Sequence, residues 1–483
     1  MKTARWFATV ILTCAYVFPV HAADFTQIGP QASATQIIAA RGRSDLAVLR
    51  LVYAVSGGEH NAPTTITVDL APDYVFVRDD RLDTIFDYKL RRIIALDLAH
   101  RSFDNSSLYA LVDFRAAETY NRRVERGMLA AVKVQGTAEL LDPFWVQSEL
   151  HVIDPADPEP VIEQKPLGDA GVRFLHNGVE FATYALSQQT LTAEELAAFK
   201  RYLQTSTTLH PVVISALLGT ARIPQHLSFA LPPIRKKGAE IWALQSISRV
   251  STPYPLAADY IVDVLAQSKA DSALPYLKRV LPLMLDAVAG RAGSGPRSVA
   301  QYRALIEDAL QKKTGLQASL LALEGMEQYG IQAFDCSQTK TPGCRSLKEL
   351  VSQSRSDSRV DELMHSLDIE RTDPNEAIKI RQGIRRDDVT NGYVIEGFIG
   401  NLLGSTGHQK EALPLLIDEV NGDPYVAGYY KDLGDLFRVS FEPVLAWTCY
   451  DLGRALPGGS SAPVIASVND YEAMLESKFP QFF

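Results

Sequence analysis

The chain has 483 residues, 46% of them hydrophobic and 22% charged, with a formal charge of −9. That length exceeds one ordinary core and implies two or three domains, and the composition is that of a folded soluble protein. An acidic balance disfavours nonspecific nucleic-acid binding, which is driven by neutralising phosphates, so no nucleic-acid partner is expected.

Residues 1–22 have the three parts of a secretory leader. Lys2 and Arg5 give a positive start, Trp6 to Val20 an apolar stretch, and Val20-His21-Ala22 the small residues of a cleavage site. The apolar run is short for a membrane helix and Pro19 breaks it, so a periplasmic or secreted location is expected, with cleavage after Ala22 and no transmembrane segment in the mature chain. Thr13 before Cys14 is not the small residue usual before a lipidated cysteine.

From about residue 45 to 100, period-two alternation predicts short antiparallel strands. Ile66, Val68 and Leu70 alternate with Thr65, Thr67 and Asp69, and Ile94, Leu96 and Leu98 with Ala95 and Asp97. A helix follows Ser106-Ser107, carrying Leu108, Leu111, Val112 and Phe114 inward. Four prolines and several acids make residues 153–171 a long surface loop. The segments 172–176 and 179–183 flank Asn177-Gly178, a dipeptide that tolerates the positive φ angles of a type I′ hairpin turn. Thr192 and Glu195 form a capping box ahead of Leu196, another helix follows Pro211, and strands resume at 226–231 and 240–250. This arrangement, including Ile85-Phe86-Asp87-Tyr88-Lys89 running into Arg92-Ile93-Ile94-Ala95-Leu96-Asp97, resembles the curved sheet of LolA-like periplasmic proteins. The resemblance, over residues 40–250 of a β-rich domain read across 23–250, implies a sheet folded over helices that shelters a lipid or another apolar ligand.

From Tyr254 onward helical spacing takes over. Residues 251–390 read as a helical region containing the polar loop Cys336 to Cys344, whose two cysteines are expected to pair in an oxidising compartment. Closing so short a loop contributes roughly 2–3 kcal/mol on the chain-entropy model. Cys449 reads as a buried free thiol. Residues 391–483 carry a self-match at 34 residues. Ile399-Gly400, Leu403, Ala412 and Leu416 recur as Leu433-Gly434, Phe437, Ala446 and Tyr450. Gly400, Ala412, Gly434 and Ala446 are then the repeat-packing positions, small because larger side chains would push the paired backbones apart. The spacing resembles tetratricopeptide repeats, although Glu396 stands where that pattern prefers a large aromatic. The resemblance implies a concave groove lined by the first helix of each pair, with Asn401, Lys431, Asp435 and Arg438 pointing into it to grip an extended peptide or helix. The helices at 359–390 and 467–478 would serve as degenerate repeats or caps.

Catalytic signals are lacking. No histidine spacing suits a zinc helix, His60 beside Glu59 has no second histidine near it, and neither Ser56-Gly57-Gly58 nor Gly458-Gly459-Ser460-Ser461 makes a nucleophile elbow. Gly290 to Arg297 is not a phosphate loop, because Pro296 and Arg297 stand where Lys and Ser or Thr are needed. No catalytic residue, metal or cofactor is therefore assigned. The expected protein is α+β, with an N-terminal antiparallel curved sheet and helices and a C-terminal all-α helical-repeat region. It is expected to be an exported, non-catalytic binding or scaffold protein that engages a protein or peptide. The alternatives are an exported hydrolase of envelope material with dispersed carboxylates, and a carrier of lipid or another apolar ligand in the sheet domain.

Overall fold

The computed structural model describes residues 28–42, 45–58, 62–79, 82–132, 141–168, 171–233, 238–266, 268, 273–334, 347–385 and 390–483. The leader, His60 and the Cys336–Cys344 loop lie outside them. The described chain forms two units, residues 25–267 with 474–483 and residues 268–473.

The first unit is built on a twelve-stranded sheet in the order β12-β6-β5-β4-β3-β2-β1-β11-β10-β9-β8-β7. The strands are β1 Asp45–Gly57, β2 Thr64–Leu70, β3 Tyr74–Arg78, β4 Asp83–Asp87, β5 Arg92–Asp97 and β6 Ser102–Ser107. They continue as β7 Ile162–Leu167, β8 Gly171–His176, β9 Val179–Thr190, β10 Arg222–Ala230, β11 Ala239–Pro253 and β12 Ile261–Val262. Every pairing is antiparallel except β12 with β6. Five helices accompany the sheet: α1 Ala34–Arg41, α2 Leu108–Val132, α3 Pro143–Leu150, α4 Ala193–Ser206 and α5 Pro211–Leu218.

Alternation sorts the strand residues between two cores. Leu49, Leu51, Tyr53 and Val55 of β1 and Val75 of β3 join Phe199, Leu203, Val213 and Leu217 of α4 and α5 in one. Val48, Tyr74, Phe76, Ile85 and Ile94 join Ala34 and Ile37 of α1 in the other. The strands β3 to β5 are thus buried on both faces.

The Asn177-Gly178 turn has φ of 52° and 77°, as a type I′ turn requires. The Thr192 hydroxyl accepts the Glu195 amide at 3.2 Å, and the Glu195 carboxylate accepts the Thr192 amide at 2.9 Å. Three expectations differ from the outcome. The surface loop at 153–171 contains β7, an edge strand hydrogen-bonded to β8 alone, whose polar, solvent-facing residues disguise it. Leu98 lies past the end of β5 and is exposed, and Phe114 turns outward from α2.

The second unit is all helical among its described residues: α6 Leu274–Val288, α7 Val299–Gln311, α8 Gly315–Tyr329, α9 Ile331–Phe334, α10 Leu347–Ser354, α11 Ser358–Ile369, α12 Pro374–Arg385, α13 Gly392–Ser405, α14 Gln409–Gly422, α15 Ala427–Val439, α16 Pro443–Ala455 and α17 Pro463–Lys478, which runs on past residue 473. From α11 onward the helices pair as α11/α12, α13/α14 and α15/α16. Each pair also packs on the next.

Candidate functional site

The repeat-packing glycines lie where paired helices cross. A Cβ on Gly400 of α13 would stand 2.8 Å from Leu416 of α14 and 3.4 Å from the Ala412 carbonyl. A Cβ on Gly434 of α15 would stand 2.4 Å from the Tyr450 ring of α16 and 3.1 Å from the Ala446 carbonyl. Ala412 and Ala446 are fully buried at these crossings. The pair α11/α12 fits the same interval. Its fully buried Ser366 stands 34 residues before Gly400, in place of the glycine that marks the other two pairs.

The four groove residues are all engaged within the unit. Asn401 donates to Asp432, joining α13 to α15. Lys431 pairs with Asp435 one turn on, and Asp435 also accepts the Tyr450 hydroxyl at 2.6 Å. Arg438 is exposed and lies over the Tyr471 ring of α17 at 4.0 Å. Beside it at the α15–α16 turn, Val439 and Phe441 are also exposed.

The face made by the first helices of the pairs is covered by α8, which packs against α11, α13 and α15. This helix is apolar nearly all round, with Leu316, Leu320, Leu321, Ala322 and Met326 buried, so its carboxylates are carried inside with it. Glu324 is completely buried and is the hub of the contact. Arg297 donates to it at 2.6 Å, Tyr302 at 2.8 Å, Tyr429 at 3.2 Å, and Tyr393 donates as well. The same Arg297 nitrogen reaches Asp423 at 2.7 Å. Gln328 accepts the Ala427 amide at the start of α15 at 2.9 Å. The Glu327 carboxylate sits against the α-carbon of Gly428, where a Cβ would stand 1.8 Å from it.

Glu419 of α14 is buried in the same way against Gly397 of α13, and its Oε2 has no hydrogen-bond partner. Burial pushes the Glu324, Glu327 and Glu419 carboxyls up; Asp423 pushes Glu324 further, and Asp432, with neighbouring glutamates, pushes Glu327 and Glu419. Burial likewise lifts Asp432 to about 6, against the pull of Lys431 and Asn401. The guanidinium of Arg297, though burial opposes its charge, is held ionised by Asp423 and Glu324. Sequence spacing did not reveal this cluster. The signal was present, since a helix apolar on every side must bury its acids too.

In the sheet unit, α3 and the segment after α4 pack into a polar–aromatic cluster. His151 contacts the Thr207 carbonyl at 2.7 Å through Nε2, and Phe144 is stacked between His176 and His210, at 4.2 and 4.8 Å. Burial drives both His151 and His210 down to about 3.

No group of three or more His, Cys, Asp or Glu among the described residues is arranged to hold a metal ion. No helix among them is long and apolar enough to cross a membrane. No family model, curated protein or solved structure matches the chain.

Proposed function

We propose that the chain is an exported, non-catalytic binding or scaffold protein of the cell envelope, which engages a protein or peptide through tetratricopeptide-like helical pairs. The observation that carries this is the placement of α8 across α11, α13 and α15, because a face that seats a helix of its own chain supports reading it as a surface for helical segments. The small residues at the crossings support the same conclusion, since they let the pairs nest into a continuous surface. A partner adds to this surface at the α15–α16 turn, where Arg438, Val439 and Phe441 are exposed. Envelope proteins cross-linked to the full chain are identified by mass spectrometry, and the partner is then titrated against wild type and Arg438→Glu. A weaker complex with unchanged melting temperature supports the assignment; undiminished binding of every partner removes it.

A second possibility rests on the cleft of the sheet unit. Its walls mix aromatic, hydroxyl and carboxylate groups, which counts against a lipid carrier of the LolA kind and leaves room for an exported hydrolase. Each carboxylate there already accepts a donor: Asp79 the Leu82 amide, Glu149 the Arg122 guanidinium and Glu240 the Trp242 indole. That arrangement suits holding a ligand better than moving a proton.

A further inference from the structure

The sheet unit contains a cleft of about 320 Å³, between the strand face carrying Ile66, Phe86, Phe229 and Trp242 and the end of α4. This volume is at the lower end of small-molecule sites. It is independent of the helical surface discussed above.

Two features of its wall call for a ligand. Thr208 is 6% exposed, and its hydroxyl has no hydrogen-bond partner. Tyr202 is 2% exposed and lines the cleft, and its hydroxyl also bonds to nothing among the described residues. Leaving the buried Thr208 hydroxyl unpaired costs about 1–3 kcal/mol, so a site that keeps it is incomplete without an occupant, and the Tyr202 hydroxyl beside it is open to one.

The remaining wall says what kind of occupant. Asp79, Glu149 and Glu240 present carboxylates, and an ionised carboxylate only accepts. Each offers about four acceptor positions, so the donors they already take leave capacity for more. Tyr202, Thr205, Ser206, Thr207 and Thr208 add hydroxyls or their backbone, while the one guanidinium, Arg115, is turned onto the carbonyls of Gln204 and Thr205. The wall therefore asks for donors. Its aromatic side is continuous: Trp242 stands 5.9 Å from Tyr202 and 6.0 Å from Phe229, ring to ring.

We infer that this cleft binds a neutral, hydroxyl-rich ring, a mono- or disaccharide, with the Tyr202 hydroxyl and the Asp79 and Glu240 carboxylates taking its O–H groups. A lipid chain would leave those acceptors unpaired, and the cleft is too polar for it.

The test uses the full chain and the Trp242 fluorescence, read alongside saturation-transfer NMR. Glucose, N-acetylglucosamine, maltose and cellobiose are titrated, with 1,5-diaminopentane and hexanoate as a cationic and an anionic control. At least one sugar is expected to bind, and Tyr202→Phe to weaken it by up to about tenfold. Because that hydroxyl has no partner among the described residues, Tyr202→Phe should melt no lower than wild type, which separates lost binding from lost folding. Asp79→Asn should weaken the same sugar. The inference is overturned if no sugar binds, if diaminopentane or hexanoate binds in their place, or if Tyr202→Phe binds the sugar as tightly as wild type.

Discussion

Glu419 offers the sharpest test of the helical unit. Its carboxyl is 3% exposed, lacks a hydrogen-bond donor at Oε2, and faces acids from three other helices: Glu324 and Glu327 on α8, Glu396 on α13 and Asp432 on α15. Arg385 pairs with Glu396 and Lys431 with Asp435, so the nearby cations are already shared with other acids. Burial, then this repulsion, raises the pKa of Glu419 well above its ordinary 4.5. The folded protein thus keeps a proton that the unfolded chain releases above about pH 4.5. Stability is fully present below that value and falls as pH rises, by about 1.4 kcal/mol per unit for one such group, until the folded-state pKa is passed. Glu419→Gln keeps the shape and removes the titration, and its amide can donate to Glu327 or Asp432. Urea unfolding followed by circular dichroism at pH 5, 6 and 7 should give two lines that diverge as pH rises. The variant's slope should be shallower by about 1.4 kcal/mol per unit, with the variant the more stable at pH 7. Asp432→Asn should flatten the slope only up to about pH 6, where its own titration ends. Parallel lines for wild type and Glu419→Gln would falsify the buried-acid account.

Gly434→Ala should cost about 1–3 kcal/mol by overpacking, because its Cβ meets a Tyr450 ring that Asp435 holds in place. Gly392→Ala, with nothing within 4 Å, is the control, and an equal loss in both by chemical denaturation would remove the crossing from the explanation. The sheet unit should respond to acid in the opposite sense from the helical one. His151 and His210 stay neutral in the fold down to about pH 3 but protonate near 6.5 when unfolded, so each costs about 1.4 kcal/mol per pH unit below 6.5. Asp83 and Asp87, whose carboxyls burial shifts upward, work against them only over a range that begins near their ordinary 3.8. Hydrogen exchange on the intact chain, corrected for intrinsic rates, should show sheet amides losing protection between pH 6.5 and 5 while helical amides do not; the same trend in both units would refute the assignment.

Local rules that involve few residues were legible. Asn177-Gly178 set a turn by its permitted φ angles, Thr192 and Glu195 capped a helix, and the 34-residue interval marked two helix crossings. The failures share a cause, which is that burial is decided by partners far along the chain. β7 looks like a loop because an edge strand with polar residues has no alternation to display. Ser366 hid a third pair, since a serine bonded to the Leu363 carbonyl and to Arg381 occupies the space a glycine leaves elsewhere. The cleft draws Asp79, Tyr202 and Trp242 from three distant segments, and no spacing connects them.

The covering of the pair surface by α8 also constrains what a partner could do there. Apolar packing alone would let any amphipathic helix lie across Tyr393, Tyr429 and their neighbours, since greasy contact has little directional preference. Glu324 changes that, because three tyrosine hydroxyls and one guanidinium converge on a single carboxylate. A helix without an acid at that station would take this acceptor from three tyrosine hydroxyls, and each left unpaired would cost about 1–3 kcal/mol, while Arg297 would keep Asp423. Displacement of α8 is therefore open only to a segment that presents a carboxylate among apolar residues at the same spacing, whereas addition at the Arg438 end carries no such requirement. On the function proposed above, the second route is the less costly one, and it is why Arg438 rather than Glu324 is the residue to change first.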